Sequence, residues 1–139
     1  MSRAAQFTCV AIGGRGLLIS GKSGSGKSSL ALALMDRGAV LVGDDGIMLA
    51  TEQGRLMAAP HPNIAGKLEV RNLGLLDFPV SPAVPVALAI ALDPEAPRFV
   101  EKPGTVVIEG ISLPQIRLWP EGPVLALKAE LALERFGVN

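Results

Sequence analysis

Cysteine, histidine and tryptophan each occur once in this 139-residue chain, and tyrosine does not occur at all. One thiol cannot close an internal disulfide, so the fold must rest on its core, and no oxidising compartment is implied. The lone His61 stands between two prolines with no metal-ligand cluster around it, and reads as a loop residue. Charge is sparse and balanced: 19% of residues, 13 basic against 13 acidic. A generic nucleic-acid binder carries a basic surplus, which this chain lacks. No apolar run reaches the roughly 18 uncharged residues of a membrane-crossing helix. The longest, Val80 to Leu92, is interrupted by Pro82 and Pro85 and reads as a loop and a buried strand. Arg3 is followed by no apolar segment before Gln6, so the start makes a poor signal peptide. A cytoplasmic protein with neither membrane nor nucleic-acid partner is expected.

What the chain does have is apolar mass. Its hydrophobic fraction is 49%, enough for one core, and its length suits one domain, taken as 1–139. Sixteen glycines and 11 prolines imply short elements and many tight turns. Charge is unevenly placed. Residues 1–37 hold Arg3, Arg15, Lys22, Lys27 and Arg37 against Asp36 alone, so an anion would settle in this third.

Cys9–Ile12 and Gly16–Ser20 flank Gly13-Gly14-Arg15 and predict a β-hairpin. Ser29–Arg37 is rich in alanine and leucine and predicts a helix stopped by Gly38; it is apolar nearly all round, which predicts burial on more than one side. Ala39–Gly43 reads as a buried strand ended by Asp44-Asp45-Gly46. Ile47–Thr51 and Leu56–Ala59 predict a second hairpin. Leu68–Val70, followed by a turn at Gly74, Val84–Leu92 and Thr105–Ile111 are further strand candidates, and Glu121–Phe136 a closing helix. Cys9 reads as core and Trp119, before Pro120, as packing in preference to base stacking.

Gly21-Lys22-Ser23-Gly24-Ser25-Gly26-Lys27-Ser28 matches the phosphate-loop pattern G-x-x-x-x-G-K-[ST] in full. The glycines let the backbone curl until successive N–H groups point at phosphate oxygens. Lys27 supplies a compact charge for the β and γ phosphates, and the Ser28 hydroxyl is a hard oxygen ligand for Mg²⁺. The following helix adds its positive N-terminal end. Strand, loop and helix occur in the required order. Such a loop also needs acid groups. Asp44 and Asp45, Asp93 and Glu109 each end an apolar run; the first pair is favoured because a crossover helix commonly returns its chain to a neighbouring strand. One carboxylate could sit near metal and the other act as base. Glu69 and Arg71 alternate around Val70 and share one face if that segment is a strand.

These segments together — the loop, Leu30–Gly38, Leu41-Val-Gly-Asp-Asp45 and Leu68-Glu-Val-Arg-Asn-Leu-Gly-Leu-Leu76 — resemble the C-terminal catalytic domain of bacterial HPr kinase/phosphorylase, in the short forms that lack an N-terminal domain. The resemblance is strongest over residues 6–77. It implies an α/β fold of the PEP-carboxykinase/HPr-kinase-like P-loop type: a mixed sheet with a P-loop helix and a C-terminal helix. It implies ATP and Mg²⁺ as cofactors, an HPr-like phosphocarrier as protein partner, and self-association. In this reading Gly21 to Ser29 bind the nucleotide, with Lys27 also catalytic. Asp45 takes the proton from an acceptor serine, Ser28, Asp44 and Glu69 attend the metal, and Arg71 serves forward and reverse reactions. Three positions depart from the family. Gln6 stands where an upstream histidine is usual, Ser29 where glutamate follows the loop, and Thr105 follows Pro103-Gly104 where an arginine is usual. Glutamine cannot exchange a proton near neutral pH as histidine can, so a weak phosphorylase direction is expected.

The expected activity is therefore ATP-dependent phosphorylation of a serine on HPr or a related phosphocarrier, in carbon regulation. A regulator that binds ATP–Mg²⁺ without transferring phosphate is the competing class. A small-molecule P-loop kinase is disfavoured by the absence of an arginine-rich lid segment, and a GTPase by the absence of Asn-Lys-x-Asp. Transfer of label to HPr separates the first two.

Overall fold

The computed structural model describes residues 2–138. Strand β1 (Ser2–Ala5) precedes the hairpin of β2 (Thr8–Ile12) and β3 (Arg15–Ser20), whose turn places Gly13 and Gly14 at φ 58° and 82°. Glycine takes such angles without a Cβ penalty. After the Gly21–Gly26 loop comes helix α1 (Lys27–Asp36), which buries Leu30, Ala31 and Leu34 and stops before Gly38 at φ 110°. Strand β4 (Val40–Gly43) follows, then the hairpin of β5 (Ile47–Glu52) and β6 (Arg55–Pro60), and a small separate hairpin of β7 (Lys67–Val70) and β8 (Gly74–Asp77). The long β9 (Val84–Leu92), β10 (Gly104–Ile108), β11 (Ile111–Leu118) and α2 (Leu125–Phe136) complete the chain.

Among the described residues nine strands join in one mixed sheet. Its main path runs β1-β5-β6-β9-β3-β2-β4, and β11, with β10 beyond it, joins at β9. β9 is the hub. It runs parallel to β3 on one side, and on the other it pairs first antiparallel with β6 and then parallel with β11. Alternation of side chains splits the hub strands between two cores. Val10, Leu17, Ile19, Leu88 and Ile90 meet both helices on one face. Cys9, Leu18 and Ala89 meet Ile47, Leu49, Leu56 and Ala58 on the other, where the sheet curls over itself. The carboxyl ends of the parallel strands β3, β9 and β11 share one edge, and the glycine-rich loop leaves from it.

Four expectations need correction. β4 is expected beside β3, but β2, the hairpin's first strand, lies between them and pairs antiparallel with both, while β3 takes the place beside β9. Thr105–Ile111 is two strands, not one. The chain reverses at Glu109 and Gly110, at φ 51° and 78°, and the second strand continues to Leu118. Within it Pro114 has no N–H to give, and pairing to β9 begins only at Gln115. The closing helix starts at Leu125 rather than Glu121, since Gly122 at φ 119° and Pro123 hold the preceding residues in a turn. The segment after Gly74 is a strand, β8, that completes a hairpin with β7.

Cys9 is fully buried in the second core, and burial pushes its thiol up to about 12 from 9.0. A folded-state pKa above the unfolded value favours the native state fully below about pH 9. That contribution is lost as pH rises toward 12. Native protein at neutral pH should therefore resist thiol alkylation until denaturant is added. Rapid labelling of native protein would show that this core opens.

Candidate active site

The glycine-rich loop is held by its own backbone. Ser25 N–H donates to the Lys22 carbonyl at 3.0 Å, and Leu30 N–H to the Gly26 carbonyl at 2.9 Å, starting α1. Gly24 and Gly26 lie at φ 80° and 101°. A Cβ on Gly21 would stand 2.5 Å from Ser25 Oγ and 3.2 Å from Leu92 Cβ, so only glycine fits where the loop crosses β9. The first turn of α1 contains no acidic residue, which leaves its N-terminal amides and partial positive charge to an anion.

Above this loop is a cavity of about 440 Å³, lined by loop residues and by Gln6, Asp44, Asp45, Glu69 and Arg71. Four separated segments thus meet. The Ser28 hydroxyl donates to Asp44, 2.7 Å from Oδ1 and 2.8 Å from Oδ2. The Thr8 hydroxyl donates to Asp44 Oδ1 at 3.0 Å and accepts from Asp45 N–H at 3.3 Å. Glu69 N–H reaches Asp44 Oδ2 at 3.5 Å. Lys27 Nζ donates to the Gly21 carbonyl at 2.9 Å; an ammonium has three N–H groups, so two remain for the cavity. The Arg71 guanidinium reaches Gly24, with Nη2 3.9 Å from where a Cβ there would lie.

Asp44 and Asp45 share a cavity for a particular reason. Successive residues of an extended strand point to opposite faces. β4 ends at Gly43, and Asp45 adopts φ 59°, a left-handed conformation that aspartate tolerates better than most residues. The turn brings the second carboxylate round beside the first. Gly43 permits it: a Cβ there would collide with the Gly46 carbonyl oxygen and stand 2.6 Å from Ile47 Cγ2.

Of the residues singled out by sequence, Ser23, Gly24, Gly26, Lys27, Ser28, Ser29, Asp44, Asp45, Glu69 and Arg71 line this cavity. Gly21, Lys22 and Ser25 do not. Gly21 gives its carbonyl to Lys27, and Ser25 Oγ is buried beneath the loop without a hydrogen-bond partner among the described residues. Lys22 is exposed on the loop, outside the cavity. The Glu95 N–H, then Arg117 and more weakly Lys22, hold the Asp93 carboxyl below the ordinary aspartate value. Asp93 belongs to this pair with Arg117, at 3.2 Å, and not to the cavity. Glu109 faces Arg3 in the β10–β11 turn. Thr105 is exposed on β10. The reading from sequence missed Thr8. A threonine opening a strand carries no signal; its position follows from the β2–β4 register, Cys9 against Gly43.

Among the described residues no three His, Cys, Asp or Glu side chains converge as a metal cage. No helix there is long and apolar enough to cross a membrane.

Fold and cavity together define a mixed α/β protein with a curled sheet and two helices, in which a glycine-rich loop faces paired carboxylates. The chain belongs to the HPr Serine kinase C-terminal domain family, whose model matches residues 2–81. The HPr kinase/phosphorylase of Clostridium tetani is 46% identical over 66 residues, which is 48% of this chain and 22% of that protein. The Streptococcus thermophilus protein of that name is 34% identical over 122 residues, 78% of this chain and 40% of its own. The chain thus spans well under half of these relatives. A solved structure of the Hpr(Ser) kinase/phosphatase from Coxiella burnetii superposes with a TM-score of 0.84 at 30% identity, covering 95% of this chain and 94% of that one.

Proposed function

We propose that residues 1–139 form one P-loop catalytic domain, which transfers the γ-phosphoryl group of ATP to a serine of an HPr-like phosphocarrier. The observation that carries this reading is the cavity in which Ser28, hydrogen-bonded to Asp44, meets Lys27 and Asp45. In the proposed reaction Asp45 accepts the proton of the acceptor hydroxyl as its oxygen bonds to the γ-phosphorus. The bond to the β,γ-bridging oxygen breaks, and ADP leaves. Lys27 and the amides of α1 hold the phosphates in line, and Arg71 balances charge at the loop. Such a transition state needs positioning and neutralisation more than covalent chemistry.

Ser28 Oγ and the Asp44 carboxylate are hard oxygen donors already in contact, and Glu69 lines the same cavity. This small donor set fits Mg²⁺, which keeps waters and takes phosphate oxygens rather than filling an all-protein cage. Bound there, the ion would neutralise charge on the β and γ phosphates. Thr8 keeps the two aspartates apart in role: it donates to Asp44 and accepts from the backbone of Asp45, leaving the Asp45 carboxylate to the acceptor. Exposed Val124, Leu127 and Leu131 give α2 an apolar stripe on which copies of the chain would meet.

Incubation with labelled ATP, Mg²⁺ and HPr tests the reading: label should appear on HPr serine. ATP binding without transfer would replace it with a nucleotide-binding regulator. The reverse reaction should be weak, because Gln6 lines the cavity beside both aspartates and cannot exchange a proton near neutral pH. Release of phosphate from seryl-phosphorylated HPr should be far slower than its formation. Gln6→His should raise it most near the imidazole pKa.

A further inference from the structure

The small hairpin of β7 and β8 stands outside the main sheet. Residues directly opposite one another across such a pair share a face, as do alternate residues along each strand. Leu68, opposite Leu76, belongs to the inner face: it is fully buried in the first core, and Leu76 is half-buried. The outer face therefore carries Lys67 opposite Asp77 and Glu69 opposite Leu75. Lys67 and Asp77 pair their charges. Leu75 is 64% exposed at a position where a polar residue would serve, and Leu73 in the turn is 70% exposed.

Both leucines adjoin the catalytic cavity. Glu69 lines it, so Leu75 stands beside a lining residue on the same face. Arg71 lines it too, and Leu73 follows two residues later, its N–H donating to the Val70 carbonyl at 2.9 Å. A third apolar side chain borders the acids themselves. A Cβ on Gly46 would stand 2.6 Å from Ile64 Cδ1, so this exposed isoleucine packs on the residue after Asp45. Apolar side chains thus adjoin the cavity at Glu69, at Arg71 and at Asp45. Exposed apolar groups gathered round a polar centre mark an interaction site. A triphosphate uses the polar groups of the loop and has no need of them. A small acceptor would fit within the cavity and leave them in water. A serine on a protein cannot reach Asp45 without laying its neighbours across this border.

We propose that Ile64, Leu73 and Leu75 form the docking surface for the acceptor protein and take apolar side chains that flank its phosphorylated serine. The inference rests on the phosphotransfer reading above and deepens it: the partner is selected through apolar residues beside the serine, not through charge. Initial rates with HPr test it, in the native protein and in Leu75→Thr, Leu73→Ser and Leu75→Met. Positions 73 and 75 are exposed and belong to neither core, and threonine suits a strand. Leu75→Thr and Leu73→Ser should each raise the KM for HPr about tenfold, the pattern of lost uniform binding. kcat and the calorimetric affinity for ATP should stay within about twofold of native. Leu75→Met keeps the apolar surface and should keep the native KM.

An unchanged KM in both polar variants overturns the proposal. So does weaker ATP binding in them, which would mean that the hairpin only holds Glu69 and Arg71 in place. Sedimentation reads the competing occupant: an oligomer lost in Leu75→Thr assigns the leucines to a second copy of the chain and overturns the proposal as well. If the native protein puts no label on HPr, the phosphotransfer reading fails and the inference falls with it; if it does and the polar variants match it, only the docking surface falls.

Discussion

Asp45→Asn should slow transfer of label to HPr by about 10²–10⁴-fold while leaving ATP bound. The substitution keeps the size of the side chain and the backbone N–H that donates to Thr8 Oγ1 at 3.3 Å, so the turn survives. Asparagine also tolerates the left-handed φ of 59° found at this position. What it removes is the group that accepts a proton. A positioned general base contributes about 10²–10⁴-fold, so turnover should fall by that factor. ATP affinity, measured by calorimetry, should change by less than about threefold, since in this reading Asp45 touches the acceptor and not the nucleotide. Transfer at the native rate would remove Asp45 from the proton path. Loss of ATP binding together with turnover would place it at the phosphates or metal. Asp44→Asn should behave in that second way, because Asp44 is the carboxylate bonded to Ser28 through both oxygens.

Lys27→Ala should weaken ATP binding and lower turnover by about 10²–10³-fold, as when a preorganised charge-stabilising group is removed. Lys27→Arg should not restore the rate. A planar guanidinium cannot replace a compact ammonium that bonds the Gly21 carbonyl at 2.9 Å from inside a tight loop. The fold should be intact in both, because Lys27 is only partly buried and belongs to neither core cluster. Unchanged ATP affinity in Lys27→Ala would show that the loop does not hold the triphosphate. Circular dichroism distinguishes this result from unfolding.

How far the chain could be read in advance depended on the range of the interactions. The β2–β3 hairpin, α1 and β9 were legible because each is written in a short stretch: glycines at the turn, alanine and leucine up to Gly38, an apolar run of strand length. Where a strand ends at a residue that merely tolerates a turn, the reading blurred. Glu109 takes φ 51° without being glycine, so a strand read over Thr105–Ile111 runs through the turn and stops at the first residue of β11. The helical pattern beyond Glu121 predicts a start there, whereas Gly122 and Pro123 delay α2 to Leu125.

The candidate site divides in the same way. Gly21 to Ser28 is contiguous, and the conformation of a phosphate loop follows from its own glycines and the helix after it. The partners of that loop are not contiguous with it. Thr8 meets Asp44 only because β2 pairs with β4 in the register that sets Cys9 opposite Gly43. Asp44 and Asp45 line one cavity only because the chain turns at φ 59° beyond Gly43. Arg71 reaches Gly24 from a hairpin that lies outside the main sheet. Local residue preferences thus encode the phosphate loop. The acids, Thr8 and Arg71 are brought to it by strand register and core packing between distant segments, which no short stretch of residues contains.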